Sequence, residues 1–251
     1  VNVSGYPNDW QHIDWEGFNG PWSSYYSFEE VQGLPAGWRI DHERGSTSWE
    51  RGIIDNSNGY GPNVSLWPSG FNGMGINLDG IYSNHVYTHL VSPNYRIPPD
   101  STARLTFNHW ICTEPDWDGG SIFTSIDDGI TWQHFGNNIS GFYDRTSTVN
   151  PNSPFYQLGI FDGSTVPNGC GNANPSHMFS RVSGDISHLA GNDVRVRFSF
   201  FTDTYIEEDG WYIDDAGIVI DRFQSNGTWT SPLIDADFAG WARLTSLYEM
   251  P

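Results

Sequence analysis

Two adjacent carboxylates, Asp214 and Asp215, stand in the middle of the run Gly210-Trp-Tyr-Ile-Asp-Asp-Ala-Gly-Ile-Val-Ile220. The flanking Trp211, Tyr212, Ile213, Ile218, Val219 and Ile220 read as a strand buried on both faces. An ionised carboxylate in such a strand is costly unless it is paired or holds a metal. The nearest charges, Glu207, Glu208 and Asp209, are acidic as well, so the neighbourhood supplies no cation. Two solutions fit: a hard, oxygen-seeking ion such as Ca2+, or one inward carboxylate met by a distant arginine.

The rest of the chain is built for strands. Its 28 Gly and 15 Pro break 251 residues into short segments, and 16% of the residues are aromatic. Short apolar runs between turn signals favour an all-β architecture, and long helical periodicity is hard to find. The length suits one large domain whose core needs no disulfide staples.

The 30 acidic residues face 11 basic ones, all arginine, for a formal charge of -19. Such a surface repels nucleic acid and anionic membranes and gathers cations. Calcium sites account for part of the excess, and adaptation to salt or heat accounts for the rest equally well. No apolar run is long enough to insert into a membrane, and a start at Val1 fits a mature, exported chain, hence an extracellular or cell-surface expectation. Cys112 and Cys170 permit one disulfide, which is expected here, although buried free thiols fit the count as well. Asn2, Asn63, Asn138 and Asn226 open glycosylation-type tripeptides.

In chain order, residues 1–24 read as an arm, aromatic and polar without alternation. A first strand follows, ending near Glu29 or Glu30. His85 and His89 share a strand face, but without a helix and a glutamate they make no zinc-protease motif. Ala103–Cys112 alternates as a half-buried strand and runs into Glu114-Pro-Asp-Trp-Asp-Gly-Gly, which suits either a Ca2+ loop or a solvated acidic turn. Ser125–Trp132 reads as a structural hairpin with Asp128-Gly129 at its turn. Residues 136–178 form a long polar excursion expected to be functional or crosslinked. Val194–Phe201 is a strand with Arg195 and Arg197 outward, leading to Asp203.

Several of these phrases recur in one order in a known family. Ser27-Phe28-Glu29 with Leu34-Pro-Ala-Gly-Trp38, Gly75-Ile-Asn-Leu-Asp-Gly-Ile-Tyr82, Leu90-Val-Ser-Pro93, Asp118-Gly-Gly, Ser125–Trp132 and Phe200–Asp215 together resemble the jelly-roll modules related to MAM and cleaved-adhesin domains. Such modules also accompany immune-inhibitor-A-type secreted proteases. The resemblance spans residues 25 to 223 and implies a jelly-roll β-sandwich of two antiparallel sheets, secreted, non-catalytic and calcium-stabilised, used for adhesion, glycan contact or assembly. It implies Ca2+ ligands at Glu29 and at Asp214 or Asp215, with Asp118 as a further ligand and Asp203 beside them. The expected domains are an arm at 1–24, a calcium-binding jelly roll at 25–224 and a strand-like tail at 225–251.

That tail is too apolar for a solvated terminus, with Trp229, Leu233, Ile234, Phe238 and Trp241. It is expected to dock on its own sandwich or to add a strand to a neighbouring copy, which would build a filament or surface layer. The leading functional expectation is therefore a non-catalytic extracellular structural or adhesion protein. A carbohydrate-binding module is the alternative, with Trp67, Phe71, Trp117 and Tyr143 as rings for sugar stacking. An enzyme is disfavoured. Glycosidase acids stand roughly 5 to 10 Å apart across a sugar, whereas neighbouring Asp214 and Asp215 are expected on opposite faces of one strand, and no nucleophile motif appears.

Overall fold

The structure is a computed structural model and describes residues 20–29, 33–53, 60–62, 70–136, 139–163 and 179–222. All of them lie in one compact unit, Gly20–Phe223. Fourteen strands are present among the described residues: β1 (Gly20–Tyr26), β2 (Arg39–Arg44), β3 (Trp49–Ile53), β4 (Asn72–Ile76), β5 (Tyr87–Val91), β6 (Tyr95–Arg96), β7 (Thr102–Cys112), β8 (Gly119–Ser125), β9 (Gln133–His134), β10 (Arg145–Thr146), β11 (Gly159–Ile160), β12 (Ser180–Asp185), β13 (Asp193–Phe201) and β14 (Gly210–Arg222).

They form a jelly-roll sandwich of two six-stranded antiparallel sheets. One runs β12-β7-β14-β4-β3 with β1 also on β14; the other runs β2-β5-β13-β8-β9 with β6 also on β13. The first strand starts at Gly20, inside the expected arm, because Gly20 to Tyr26 pair rung by rung with Arg222 to Ala216. The remainder of the arm, the tail from residue 223, Trp67, Cys170 and the four sequon asparagines Asn2, Asn63, Asn138 and Asn226 lie outside the described residues. Cys112, at the end of β7, is fully buried.

The core lies between the sheets. Trp211 is wholly buried and stands 5.4 Å from Trp49, 5.9 Å from Phe161 and 6.1 Å from Phe198, ring centre to ring centre. Its Nε1–H donates to His109 Nδ1 at 3.2 Å, so this buried imidazole serves as an acceptor. Burial alone pushes the His109 pKa down to about 3 from 6.5.

That imidazole makes acid stability testable. With a folded pKa below the unfolded one, its contribution is complete above pH 6.5 and falls as the pH drops toward 3, at up to about 1.4 kcal/mol per pH unit. Between pH 7 and about 4.5 the native chain should lose roughly 2 kcal/mol more than His109→Gln in denaturant unfolding. Equal losses in the two chains would refute this assignment.

The paired carboxylates of β14 are accommodated by a bulge. Trp211 and Ile213 face the main core while Tyr212 packs on the opposite face with Leu78, Trp110 and Cys112. Beyond the register shift between Asp214 and Gly217, the core-facing residues become Ala216, Ile218 and Ile220. One extra residue thus reverses which parity faces inward. Asp215 takes φ 48°, its N–H donates to Asp214 Oδ1 at 2.8 Å, and Asn108 Nδ2 donates to Asp215 Oδ2 at 3.0 Å. Plain alternation, the basis for placing the two on opposite faces, does not hold across this bulge.

The described part of the excursion after β9, residues 139–163, folds back onto the other sheet. Phe155 and Ile160 pack with Phe123 and Phe201 on its outer face, edged by Tyr87, Trp132 and Leu158. On the same face the Arg197 guanidinium lies 4.7 Å from the Phe123 ring centre and 4.6 Å from that of Trp132. Ten arginines lie within strands: Arg39, Arg44, Arg51, Arg96, Arg104, Arg145, Arg181, Arg195, Arg197 and Arg222.

Candidate functional site

At one end of the sandwich three connections meet. The β7–β8 turn carries Glu114 and Asp118, the β13–β14 loop carries Asp203, and the β4–β5 connection brings Tyr82 beneath them. Glu114, Asp118 and Asp203 each present a carboxylate oxygen within 4.8 Å of the others. Among the described residues this is the group of three or more potential metal ligands that the fold assembles.

Local chemistry fixes each member. Asp118 N–H donates to Glu114 O at 3.1 Å, which closes the turn. The following glycines are required by close approach: a Cβ at Gly119 would stand 2.3 Å from Phe161 O, and one at Gly120 would stand 2.3 Å from the Trp211 ring. Arg145 clamps the turn from outside, with ion pairs to Asp116 at 2.9 Å and Asp162 at 2.8 Å. Asp116 is thereby spent on an arginine, while Glu114 and Asp118 face the cluster.

Asp118 is wholly buried. Tyr82 Oη donates to its Oδ2 at 2.8 Å and Asp203 N–H to its Oδ1 at 2.6 Å. Glu114 N–H donates in turn to Tyr82 Oη at 3.1 Å, and Tyr205 N–H to Asp203 Oδ1 at 2.9 Å. Burial pushes the Asp118 carboxyl up to about 8, with a smaller upward push from the charges of Asp203 and Glu114 and a downward pull from its two hydrogen bonds. Burial, then the charges of Asp203 and Glu208, raises Glu114 as well. Glu114 Oε2 is a buried oxygen with no hydrogen-bond partner.

These features fit a divalent cation. Three hard oxygen donors converge, one has an orphaned oxygen, and burial and neighbouring charge disfavour ionisation of Asp118 and Glu114, which an ion of charge two would reverse. Glu114, Asp118 and Asp203 would hold it, and the ion would supply charge neutralisation and a crosslink between two loops.

The sequence-derived ligand set divides. Asp118 and Asp203 come together, joined by Glu114 rather than by Glu29, Asp214 and Asp215. Asp214 pairs with Asn108 whereas Gly210 pairs with Cys112, so the β14 carboxylates sit four rungs, about 13 Å, from that end of the strand. Glu29 is exposed and accepts N–H groups from Phe71 at 2.9 Å and Asn72 at 2.8 Å. It lies at the start of β4, and Asp215 is two residues past the Ile213–Met74 rung that leads back toward Asn72.

A groove of about 610 Å³ opens beside the cluster and shares Glu114 and Asp203 with it. Trp117, one of the predicted sugar-stacking rings, lines it and is 37% exposed. Phe71 is exposed but stands near Glu29, away from this groove. Tyr143, expected in an exposed loop, is turned inward: its hydroxyl donates to Phe135 O at 2.7 Å and accepts from Ile122 N–H at 2.9 Å. A tyrosine can bury its ring once its hydroxyl finds backbone partners. Tyr205, 73% exposed and lining the groove, escaped sequence reasoning because it stands in a loop with no periodicity.

One hydrogen-bonded chain has the composition of a nucleophilic triad. His89 contacts Ser199 Oγ through Nδ1 at 3.0 Å and Glu43 Oε1 through Nε2 at 2.9 Å. Ser199 is wholly buried in β13, paired on both sides by β5 and β8, so no substrate carbonyl reaches it. The chain ties β2, β5 and β13 together.

No family model matches this chain. Bacillopeptidase F of Bacillus subtilis (strain 168) is 25% identical over 187 residues, which are 74% of this chain. The chain spans about a tenth of the length of that relative, 10%. Among solved structures, the K1 cleaved adhesin domain of Lys-gingipain from Porphyromonas gingivalis W83 is similar with 20% identity and a TM-score of 0.39, covering 83% of this chain and 99% of that one. The CBM22-1 xylan-binding domain of Paenibacillus barcinonensis Xyn10C shows 11% identity and a TM-score of 0.39 over 80% and 95% of the two chains. A cyclase from Fischerella sp. TAU shows 11% identity and a TM-score of 0.45 over 82% and 100%.

Proposed function

We propose that this chain is a non-catalytic module of an extracellular protein, an adhesion jelly roll whose loop end is held together by Ca2+. The observation that carries the reading is the convergence of Glu114, Asp118 and Asp203 with an orphaned buried oxygen on Glu114. The excess of acids over arginines supports it, since a strongly anionic surface concentrates divalent cations. The match to one tenth of Bacillopeptidase F supports a role as one part of a longer protein. Self-association through residues 225–251 rests on their apolar composition and is not needed for this reading.

The proposal keeps a second ion at Glu29 with Asp214 or Asp215, as the family resemblance implies, and the two positions are separable. Calorimetric titration of the chelated protein with Ca2+ should show saturable binding. Asp203→Asn should weaken the site at the loop end by on the order of 100-fold, because ligand charge sets affinity. Glu29→Gln should leave that site intact. A native chain that takes up no Ca2+, or an Asp203→Asn chain that binds as tightly as the native one, would dismiss the loop-end site.

A second reading, a carbohydrate-binding module, is favoured by the exposed rings Trp117 and Tyr205 along the adjoining groove.

A further inference from the structure

We infer that the groove beside the acidic cluster binds a neutral pyranose polysaccharide, and that the cation at its edge contacts the sugar's hydroxyls directly. The inference rests on the cation reading above and extends it from a structural ion to one that takes part in recognition.

The groove offers three kinds of contact at once. Trp117 and Tyr205 are 37% and 73% exposed, so two aromatic surfaces line one cavity of about 610 Å³. The C–H face of a pyranose ring packs on such surfaces, and its hydroxyls need polar partners around the edge. Asn150 supplies one from a rigid position: it is 3% exposed, and its Oδ1 accepts the Asn152 N–H at 3.0 Å. Arg44, which also lines the groove, supplies donors. Its guanidinium lies 5.2 Å from the Phe201 ring centre and makes no ion pair among the described residues.

The cation adds the third contact. Ca2+ takes six to eight oxygens, and the cluster's own oxygens are already engaged in part. Both oxygens of Asp118 accept hydrogen bonds, and Asp203 Oδ1 accepts one from Tyr205. An ion held there keeps coordination positions open, and because Glu114 and Asp203 line the groove, those positions are reached from the groove. Two neighbouring hydroxyls of a pyranose are oxygen donors of suitable hardness. Charge selects a neutral chain over an acidic one: three carboxylates outweigh one divalent ion, and the whole chain carries -19.

The test is affinity electrophoresis of the native chain in gels containing laminarin, galactomannan or dextran, with polygalacturonate as the anionic comparison, each run in calcium and in chelator. Retardation is expected in at least one neutral gel with calcium present, and it should vanish in chelator. Trp117→Ala and Tyr205→Ala should each weaken binding about tenfold, and thermal melting in calcium reports whether each variant is folded. If calcium raises the melting temperature but no neutral polysaccharide retards the chain, this inference fails while the cation reading stands. If calcium has no effect on melting, the cation reading fails and this inference with it. Retardation that survives both chelator and Trp117→Ala, or that occurs only with polygalacturonate, would place recognition elsewhere and overturn the inference.

Discussion

Stripping divalent cations is expected to lower the melting temperature by roughly 5–10 °C. A ligand present at 100 times its dissociation constant adds about 2.7 kcal/mol to the folded state, and a domain of this size moves about 2–4 °C per kcal/mol. The physical source is the loop end. Without an ion, Asp118 is buried beside Glu114 and Asp203, whose charges add to the cost of ionising it, and the Asp203 charge adds to that of ionising Glu114. With an ion, the β7–β8 turn and the β13–β14 loop share one crosslink. Readdition of calcium should restore the melt, and Asp203→Asn should lose the loop-end share of the chelator response, keeping only what the ion at Glu29 contributes. A native melt that is the same in chelator and in excess calcium would eliminate the loop-end ion.

The second large effect is expected in the core, where Gly120 and Trp211 share one space. A Cβ at Gly120 would lie 2.3 Å from the Trp211 six-membered ring, far inside van der Waals contact. Gly120→Ala should therefore cost about 1–3 kcal/mol as overpacking. Trp211→Ala should cost about 3–5 kcal/mol, because it empties the space between Trp49, Phe161 and Phe198 and removes the donor to His109. The diagnostic chain is Gly120→Ala with Trp211→Phe. Phenylalanine lacks the distal ring atoms that meet the new methyl, so the double variant should be more stable than the two single costs predict by roughly 1 kcal/mol or more. Strict additivity in denaturant melts would show that the contact does not limit packing here.

Much of the frame was legible from the sequence because it is local. Alternation in Ala103–Cys112 and Val194–Phe201 and the apolar run from Gly210 mark β7, β13 and β14, and Asp118-Gly-Gly marks a turn whose glycines the packing demands. The bulge in β14 was not legible, since one inserted residue leaves the composition of the strand unchanged while reversing its faces. The metal ligands were legible one at a time and not as a set. Asp118 and Asp203 stand 85 residues apart and meet through a hydrogen bond that only the topology creates. Glu114 belonged to the acidic phrase already noticed, but nothing local separates it from Asp116, which an arginine from the later excursion neutralises. Ring exposure was the least legible property. Trp117 lies at the surface while Tyr143 is half-buried with its hydroxyl turned to the backbone, and both stand in polar, glycine-rich sequence.

The placement of the arginines has a consequence for proteolysis. The chain has no lysine, and ten arginines sit within strands, where the peptide bond on their carboxyl side is engaged in or adjoins a ladder. A protease that cuts after basic residues needs an extended, unpaired segment in its cleft, so it must wait for strands to separate before it finds a site. The described loops, Gly-rich and surface-borne as they are, contain no arginine of their own. Cleavage within the described sandwich by a trypsin-like protease would then proceed at the pace of strand opening rather than of loop motion, and any contact that steadies the sheets would slow it.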